Sequence, residues 1–234
     1  VKNKVKAAAA GKEIAGRVIV GVDEAGRGPV LGPLVMVALA VKEENIKKLE
    51  WMGVKDSKLL SSSVREELFE QIRAVVEDFR VEMIEPDAID LSLTESNLNW
   101  LEAETSARMV SELDPDKIII DCPSPNIPAY KSYFSKRLSE AVVKKAELVV
   151  EHKADLNYIV VGAASVIAKV IRDRAVNHLI SEIGIDFGSG YMSDPKTQEF
   201  LEKYHDKFPH LFRKKWQSYK NAEVKKMQKS LGEF

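Results

Sequence analysis

Arg17-Val18-Ile19-Val20-Gly21-Val22-Asp23-Glu24-Ala25-Gly26-Arg27-Gly28-Pro29 carries an apolar, β-branched run directly into two acids and a turn punctuated by glycine. Residues 17–22 read as a buried strand, and acids set at its carboxyl end ask for a ligand. Neighbouring side chains of a regular strand face opposite sides. Asp23 and Glu24 therefore serve one site only where the chain leaves strand geometry after Val22, which Gly26 and Gly28 permit. Asp121 ends a second apolar run, 117–120, and Asp155 follows a third, 147–150, through Glu151-His152-Lys153-Ala154. The carboxyl ends of parallel strands form the ligand crevice of open α/β sheets. Four carboxylates are thus expected to converge, provided the three strands are mutually parallel.

Residues 34–41 and 80–84 read likewise as strands, giving a sheet of five. Helices are expected over 63–79, where Ser63 and Glu66 make a capping box, and over 94–113, 128–143, 158–183 and 195–207. Alternating strands and helices indicate an α/β fold. The Gly188-Ser189-Gly190 turn suggests a boundary, with a helical, basic C-terminal part beyond it.

The chain has 234 residues, 45% hydrophobic and 30% charged, a balance that folds and that excludes disorder. Its longest apolar run, residues 29–41, is too short to span a bilayer as a helix, and the first seventeen residues lack the apolar length of a signal peptide. A lone Cys122 excludes an internal disulfide and points to a reducing, cytoplasmic setting. The net charge of −1 hides an asymmetry: residues 82–116 hold ten acids against Arg108, whereas residues 196–229 hold ten Lys or Arg against four acids. The second segment is either a phosphate-facing surface or an ordinary solvated helical face.

Two carboxylates 4 Å apart repel by about 4 kcal/mol at an effective dielectric of 20, so a converged set demands positive charge. Oxygen-only ligands select hard divalent cations such as Mg²⁺ or Mn²⁺, and two such ions clamp the attacking and leaving oxygens of a phosphoryl displacement. Taken singly, each acid equally serves as a cap after its strand. Gly26-Arg27-Gly28 lets backbone N–H groups approach a phosphate or ribose, with the Arg27 fork beside them, or simply forms a turn. In Asp56-Ser57-Lys58 the ammonium offers a phosphate contact, while Asp56 or Ser57 offers a helix N-cap.

The run Val22 to Pro29, Asp56-Ser57-Lys58, Ile120-Asp121, Glu151 to Asp155, Ala163-Ala164-Ser165-Val166-Ile167-Ala168-Lys169 and Gly188-Ser189-Gly190-Tyr191 stand in an order and spacing that together resemble ribonuclease HII, the type 2 ribonuclease H, and its archaeal-type members in particular. The matching blocks span about residues 17–216. The resemblance implies a ribonuclease H-like fold, with a mixed five-stranded sheet flanked by helices and a helical C-terminal extension. It also implies endonucleolytic hydrolysis of the RNA strand of RNA–DNA hybrids and incision 5′ to ribonucleotides embedded in duplex DNA, leaving 3′-hydroxyl and 5′-phosphate ends. Such an enzyme serves ribonucleotide removal and RNA primer processing, hence DNA replication and repair. Asp23, Glu24, Asp121 and Asp155 would take the catalytic, metal-binding roles with two Mg²⁺ or Mn²⁺ ions. Gly26, Arg27 and Gly28 would read the ribose 2′-hydroxyl, and Tyr191 would stack on the neighbouring deoxyribose. Ser165 and Lys169, four apart on one helix, would face the phosphate path together with Lys58. His152 and Asp173 are expected to be structural.

The terminal Gln228-Lys229-Ser230-Leu231-Gly232-Glu233-Phe234 resembles the Q-x-x-L-x-x-F peptide that docks replication proteins on the sliding clamp PCNA, with Gln228, Leu231 and Phe234 as anchors. It lacks the usual second aromatic. The expected organisation is an extension at 1–16, a catalytic domain at 17–190, a basic helical subdomain at 191–226 and a clamp-binding tail at 227–234, acting as a monomer. A non-catalytic nucleic-acid and clamp adaptor, and a phosphatase of small phosphomonoesters, are the competing functional classes.

Overall fold

The structure, a computed structural model, describes residues 16–54 and 60–231, with the backbone alone for 227 and 229–231. Lys58 and Phe234, the extension before residue 16 and the side chain of Leu231 lie outside the described residues. Two compact units divide the chain.

The first unit comprises the chain through Ala25, Val35–Glu82 and Asn99–Val170. It holds the sheet, built from β1 (Val18–Ala25), β2 (Leu34–Lys42), β3 (Asp78–Ile84), β4 (Lys117–Asp121) and β5 (Glu147–Glu151) in the order β3-β2-β1-β4-β5. β1 pairs antiparallel with β2 and parallel with β4, and β4 pairs parallel with β5. The sheet is therefore mixed, and the three strands that precede the acids are mutually parallel, as convergence requires. Val18, Ile19, Val20 and Val22 are all buried, as is β2 from Leu34 to Val41. Consecutive burial means that both faces of these central strands are covered, which is why they read as unbroken apolar runs.

The helices are α1 (Ile46–Trp51), α2 (Ser62–Arg73), α3 (Pro86–Glu95), α4 (Leu98–Leu113), α5 (Ile127–Ser135), α6 (Glu140–Lys145), α7 (Ala154–Asn157), α8 (Ile159–Ile183), α9 (Pro195–Tyr204) and α10 (Gln217–Leu231). α8 meets β1 at Gly21, where a Cβ would lie 2.6 Å from the Val160 carbonyl carbon. Buried Ala163, Ala164 and Ala168 continue that small-residue face. No helix among the described residues is long and apolar enough to cross a membrane.

Several element boundaries differ from expectation. β1 runs on to Ala25, so Asp23 and Glu24 belong to the strand, paired with Val37 and Met36 of β2. The cap of α2 is Ser61, whose extended backbone lets its hydroxyl accept from Val64 N, and not Ser63. That helix stops at Arg73: Val75 and Val76 both donate to the Ile72 carbonyl, closing the last turn before β3. The helix expected over 94–113 begins at Leu98, as α4; Thr94 and Glu95 instead end α3, a helix not expected from the sequence, which stops at the non-helical backbone of Ser96. The one expected over 128–143 is also two, with Ser139 capping α6.

The second unit comprises Gly26–Leu34, Met83–Leu98 and Ile171–Phe234. The Gly188-Ser189-Gly190 turn lies inside it and is not its boundary. Its own core gathers Val30, Leu31, Val176, Phe187, Phe200, Leu211, Phe212 and Tyr219, with the Phe200 ring in contact with Phe187, Tyr204, Phe208 and Phe212. Segments distant in sequence are stitched by backbone bonds: Val30 N to Gly190 O (3.0 Å), Gly32 N to Leu211 O (3.0 Å) and Arg213 N to Val30 O (2.8 Å). Much of the basic C-terminal charge is internally paired, Lys196 with Asp186, Lys203 with Glu199, Lys226 with Asp206 and Lys214 with Asp87. Asp90 further accepts the backbone N–H groups of Lys214 and Lys215.

Candidate metal centre

The register of β1 on β4 ends with Val22 beside Ile120. One step further, Asp23 and Asp121 emerge as neighbours on adjacent parallel strands. Beyond Glu151 the chain turns through Lys153, whose φ of +58° is left-handed, and enters the short helix α7. That turn places Asp155 with the other two. Asp23, Asp121 and Asp155 each offer a carboxylate oxygen within 4.8 Å of the others. Asp23 and Asp155 are buried, and Asp121 is half-buried and accepts the Ala154 N–H at 3.2 Å.

Burial and repulsion fall hardest on Asp23, whose carboxyl is pushed up from 3.8 to about 7. Burial is the largest cause; a hydrogen bond from Ser165 opposes it, the Asp121 charge adds to it, and the Lys169 charge and the Glu24 N–H (2.8 Å) pull it back. The chain's own cations therefore do not suffice to hold this cluster fully ionised at neutral pH. Such a cluster of hard oxygen donors on a rigid sheet fits a hard divalent cation, which would supply the missing charge.

Glu24 is not among the three acids that come together. It follows Asp23 in β1, and the Cys122 and Tyr130 groups, pushed up chiefly by burial, feel its charge as well. Ser165, expected on the phosphate path, is buried, bonded to Asp23 and accepting from the Lys169 ammonium. Their four-residue spacing does place them on one helix face, and that face looks to the acids. His152 meets the Cys122 carbonyl through Nδ1 at 3.0 Å, a structural contact.

Within the second unit, Gly26 has φ of +85°, and a Cβ there would lie 2.4 Å from Arg172 Nε, so only glycine fits. A Cβ on Gly28 would sit 3.5 Å from the half-exposed Tyr191 ring. Arg172 steadies that tyrosine: its guanidinium lies 5.2 Å from the ring centroid and donates to the Ser189 carbonyl at 2.8 Å. Gly26, Gly28 and Tyr191 thus belong to one packed group. Arg172 and Arg213 are the participants that sequence patterns missed. Arg213 stands in a basic run, Arg213-Lys214-Lys215, with nothing local to separate it from surface charge.

Residues 20–219 match the family model for ribonuclease HII. The chain is 43% identical over 212 residues to a ribonuclease HII of Pyrococcus abyssi, covering 88% of this chain and 92% of that protein, and 41% identical to the one of Pyrococcus furiosus, covering 92% and 96%. Among solved structures it is similar to ribonuclease H2 from Pyrococcus horikoshii (TM-score 0.81, 39% identity, covering 89% and 98% of the two chains). It is also similar to the ribonuclease HII in a complex with PCNA from Archaeoglobus fulgidus (TM-score 0.77, 35% identity, covering 87% and 96%).

The raised Asp23 carboxyl has a consequence for the metal-free protein. Unfolded, Asp23 ionises near 3.8; folded, near 7. Across that interval the unfolded chain has shed a proton that the folded chain keeps, so stability falls as pH rises from about 4 to about 7, by on the order of a few kcal/mol. Calorimetric melts in EDTA at about pH 5 and pH 8 are expected to show the lower Tm at pH 8, with Mg²⁺ restoring it and Asp23→Asn flattening the difference; a pH-independent difference between wild type and Asp23→Asn would contradict this.

Proposed function

Because the chain belongs to the ribonuclease HII family, we propose that it is a divalent-metal endonuclease that hydrolyses the RNA strand of RNA–DNA hybrids and nicks duplex DNA 5′ to embedded ribonucleotides. The observation that carries this reading is the gathering of Asp23, Asp121 and Asp155 within 4.8 Å at the carboxyl ends of parallel strands. Divalent ions bound there would stabilise charge on the attacking and leaving oxygens of the scissile phosphate. Each protein group then has a task. Asp23, Asp121 and Asp155 hold the cations. Ser165 and Lys169 fix the Asp23 carboxylate, a role supported by the Ser165 hydrogen bond to it, the nearby Lys169 charge and the bond between the two side chains. Glu24, next to Asp23 along β1, is the fourth acid of the proposal and is expected to matter less than the three. Gly26, Arg27 and Gly28 recognise the 2′-hydroxyl, the group that marks RNA against DNA. The exposed face of Tyr191 packs on the adjacent deoxyribose, and Lys58 contacts a backbone phosphate.

Mg²⁺ is the expected cofactor, with Mn²⁺ able to substitute, since both are hard cations that suit carboxylate oxygens. The tail from Gln228 is proposed to dock on a sliding clamp, a reading supported by similarity to a relative solved with PCNA. Gln228 is exposed at the end of α10, where a partner reaches it.

An end-labelled DNA duplex carrying one ribonucleotide, incubated with protein and Mg²⁺, is expected to give a single nick 5′ to that ribonucleotide. Asp121→Asn should lower the rate by about a hundredfold or more, the scale of losing a catalytic electrostatic group, and Glu24→Gln by less. No cleavage by the wild type, or an undiminished Asp121→Asn, would sink the enzymatic reading. Removing residues 228–234 should abolish binding to an immobilised clamp and leave free-enzyme nicking intact; retained clamp binding would reject the tail's role.

A further inference from the structure

Arg213 heads the largest fully buried side chains of the described residues. Burying a guanidinium costs several kcal/mol unless its donors are well used, and here they converge on one loop. Nη2 donates to the carbonyls of Gly26 (2.6 Å) and Gly32 (2.9 Å), Nη1 to Arg27 (2.9 Å) and Nε to Gly32 (3.1 Å). Trp216 adds its indole N–H to the Gly28 carbonyl at 3.2 Å, and the guanidinium lies 5.0 Å from the Trp216 ring centroid.

In a trans peptide the carbonyl and the following N–H point in opposite directions, and no described peptide is cis. Drawing the Gly26 and Arg27 carbonyls onto the guanidinium therefore turns the Arg27 and Gly28 N–H groups the opposite way, side by side. The left-handed Gly26 shapes the entry of the chain into this loop. Adjacent N–H groups on one concave side form a small donor nest. Only a planar fork with five donors reaches three carbonyls at once; a lysine ammonium, with three donors at one point, does not.

We propose that Arg213 is a positioning residue for ribose recognition: it holds the carbonyls of Gly26, Arg27 and Gly32 so that the Arg27 and Gly28 N–H groups face the 2′-hydroxyl of the ribonucleotide. This rests on the function proposed above for the Gly26-Arg27-Gly28 loop. Arg213 touches no substrate in this account; it acts through the loop, and Trp216 assists at Gly28.

The test measures affinity for a duplex with one ribonucleotide against the all-deoxy duplex of the same sequence, in an Asp121→Asn background that blocks cleavage. The parent is expected to prefer the ribonucleotide by about tenfold, the scale of one well-made hydrogen bond. Adding Arg213→Lys should bring that ratio close to one while all-deoxy affinity stays within about twofold, because phosphate contacts persist. A retained ratio, or equal losses for both duplexes, would overturn the positioning role, the second outcome marking Arg213 as merely structural. A parent without any preference would instead overturn ribose reading by the loop itself. Melting curves identify an unfolded Arg213→Lys, in which case Trp216→Phe carries the test: it removes one carbonyl clamp and should cost the ratio about two- to threefold, and no change would overturn the proposal.

Discussion

Three carboxylates forced into proximity by a parallel β-ladder are the constraint from which the chemistry of this protein follows. The register of β1 on β4 leaves Asp23 no alternative to lying beside Asp121, and the left-handed turn at Lys153 brings Asp155 to the same place. Burial penalises the ionised form most and the Asp121 charge adds to it, which is why Asp23 holds its proton more tightly than a free aspartate. A divalent cation bound among these three carboxylates would relieve that repulsion. Stability of the metal-free state and capacity for catalysis are thus opposite faces of one electrostatic fact. Ser165 and Lys169 on α8 supply partial compensation and hold Asp23 in place. Gly21 is what lets that helix approach β1 closely enough for them to reach.

The second unit solves a different problem with similar means. Its glycine loop exposes backbone polarity, and the cost of ordering that loop is met by a buried guanidinium, an indole N–H and backbone bonds from two remote segments. The buried guanidinium of Arg213 in this unit organises backbone carbonyls. Arg172 does comparable work at Tyr191 and Ser189, so two buried arginines frame the turn and the aromatic ring. Neither chain segment makes sense as isolated surface charge.

Much of this was legible in the amino-acid order. Strands β1, β4 and β5 are short apolar runs, and an acid at or just after each end is a pattern that local chemistry seldom needs. The extension of β1 through Glu24 was not legible, because glycines after the acids suggested a turn; the antiparallel ladder to Val37 and Met36 keeps the chain extended there, and that ladder is a long-range fact. The breaks at Ser96 and before Ser139 escaped notice because apolar periodicity persists across them. Arg213 was invisible for a related reason: its carbonyl partners lie more than 180 residues earlier in the chain, so its neighbours in sequence carry no trace of its role.

The position of a bound divalent ion is the decisive observable for this site. Crystals grown with Mn²⁺, measured at its absorption edge, are predicted to show anomalous density at roughly 2.0–2.3 Å from oxygens of Asp23, Asp121 and Asp155, and to lose it in Asp121→Asn. Anomalous density confined to other acidic clusters, with these three carboxylates free of metal, would contradict the central claim.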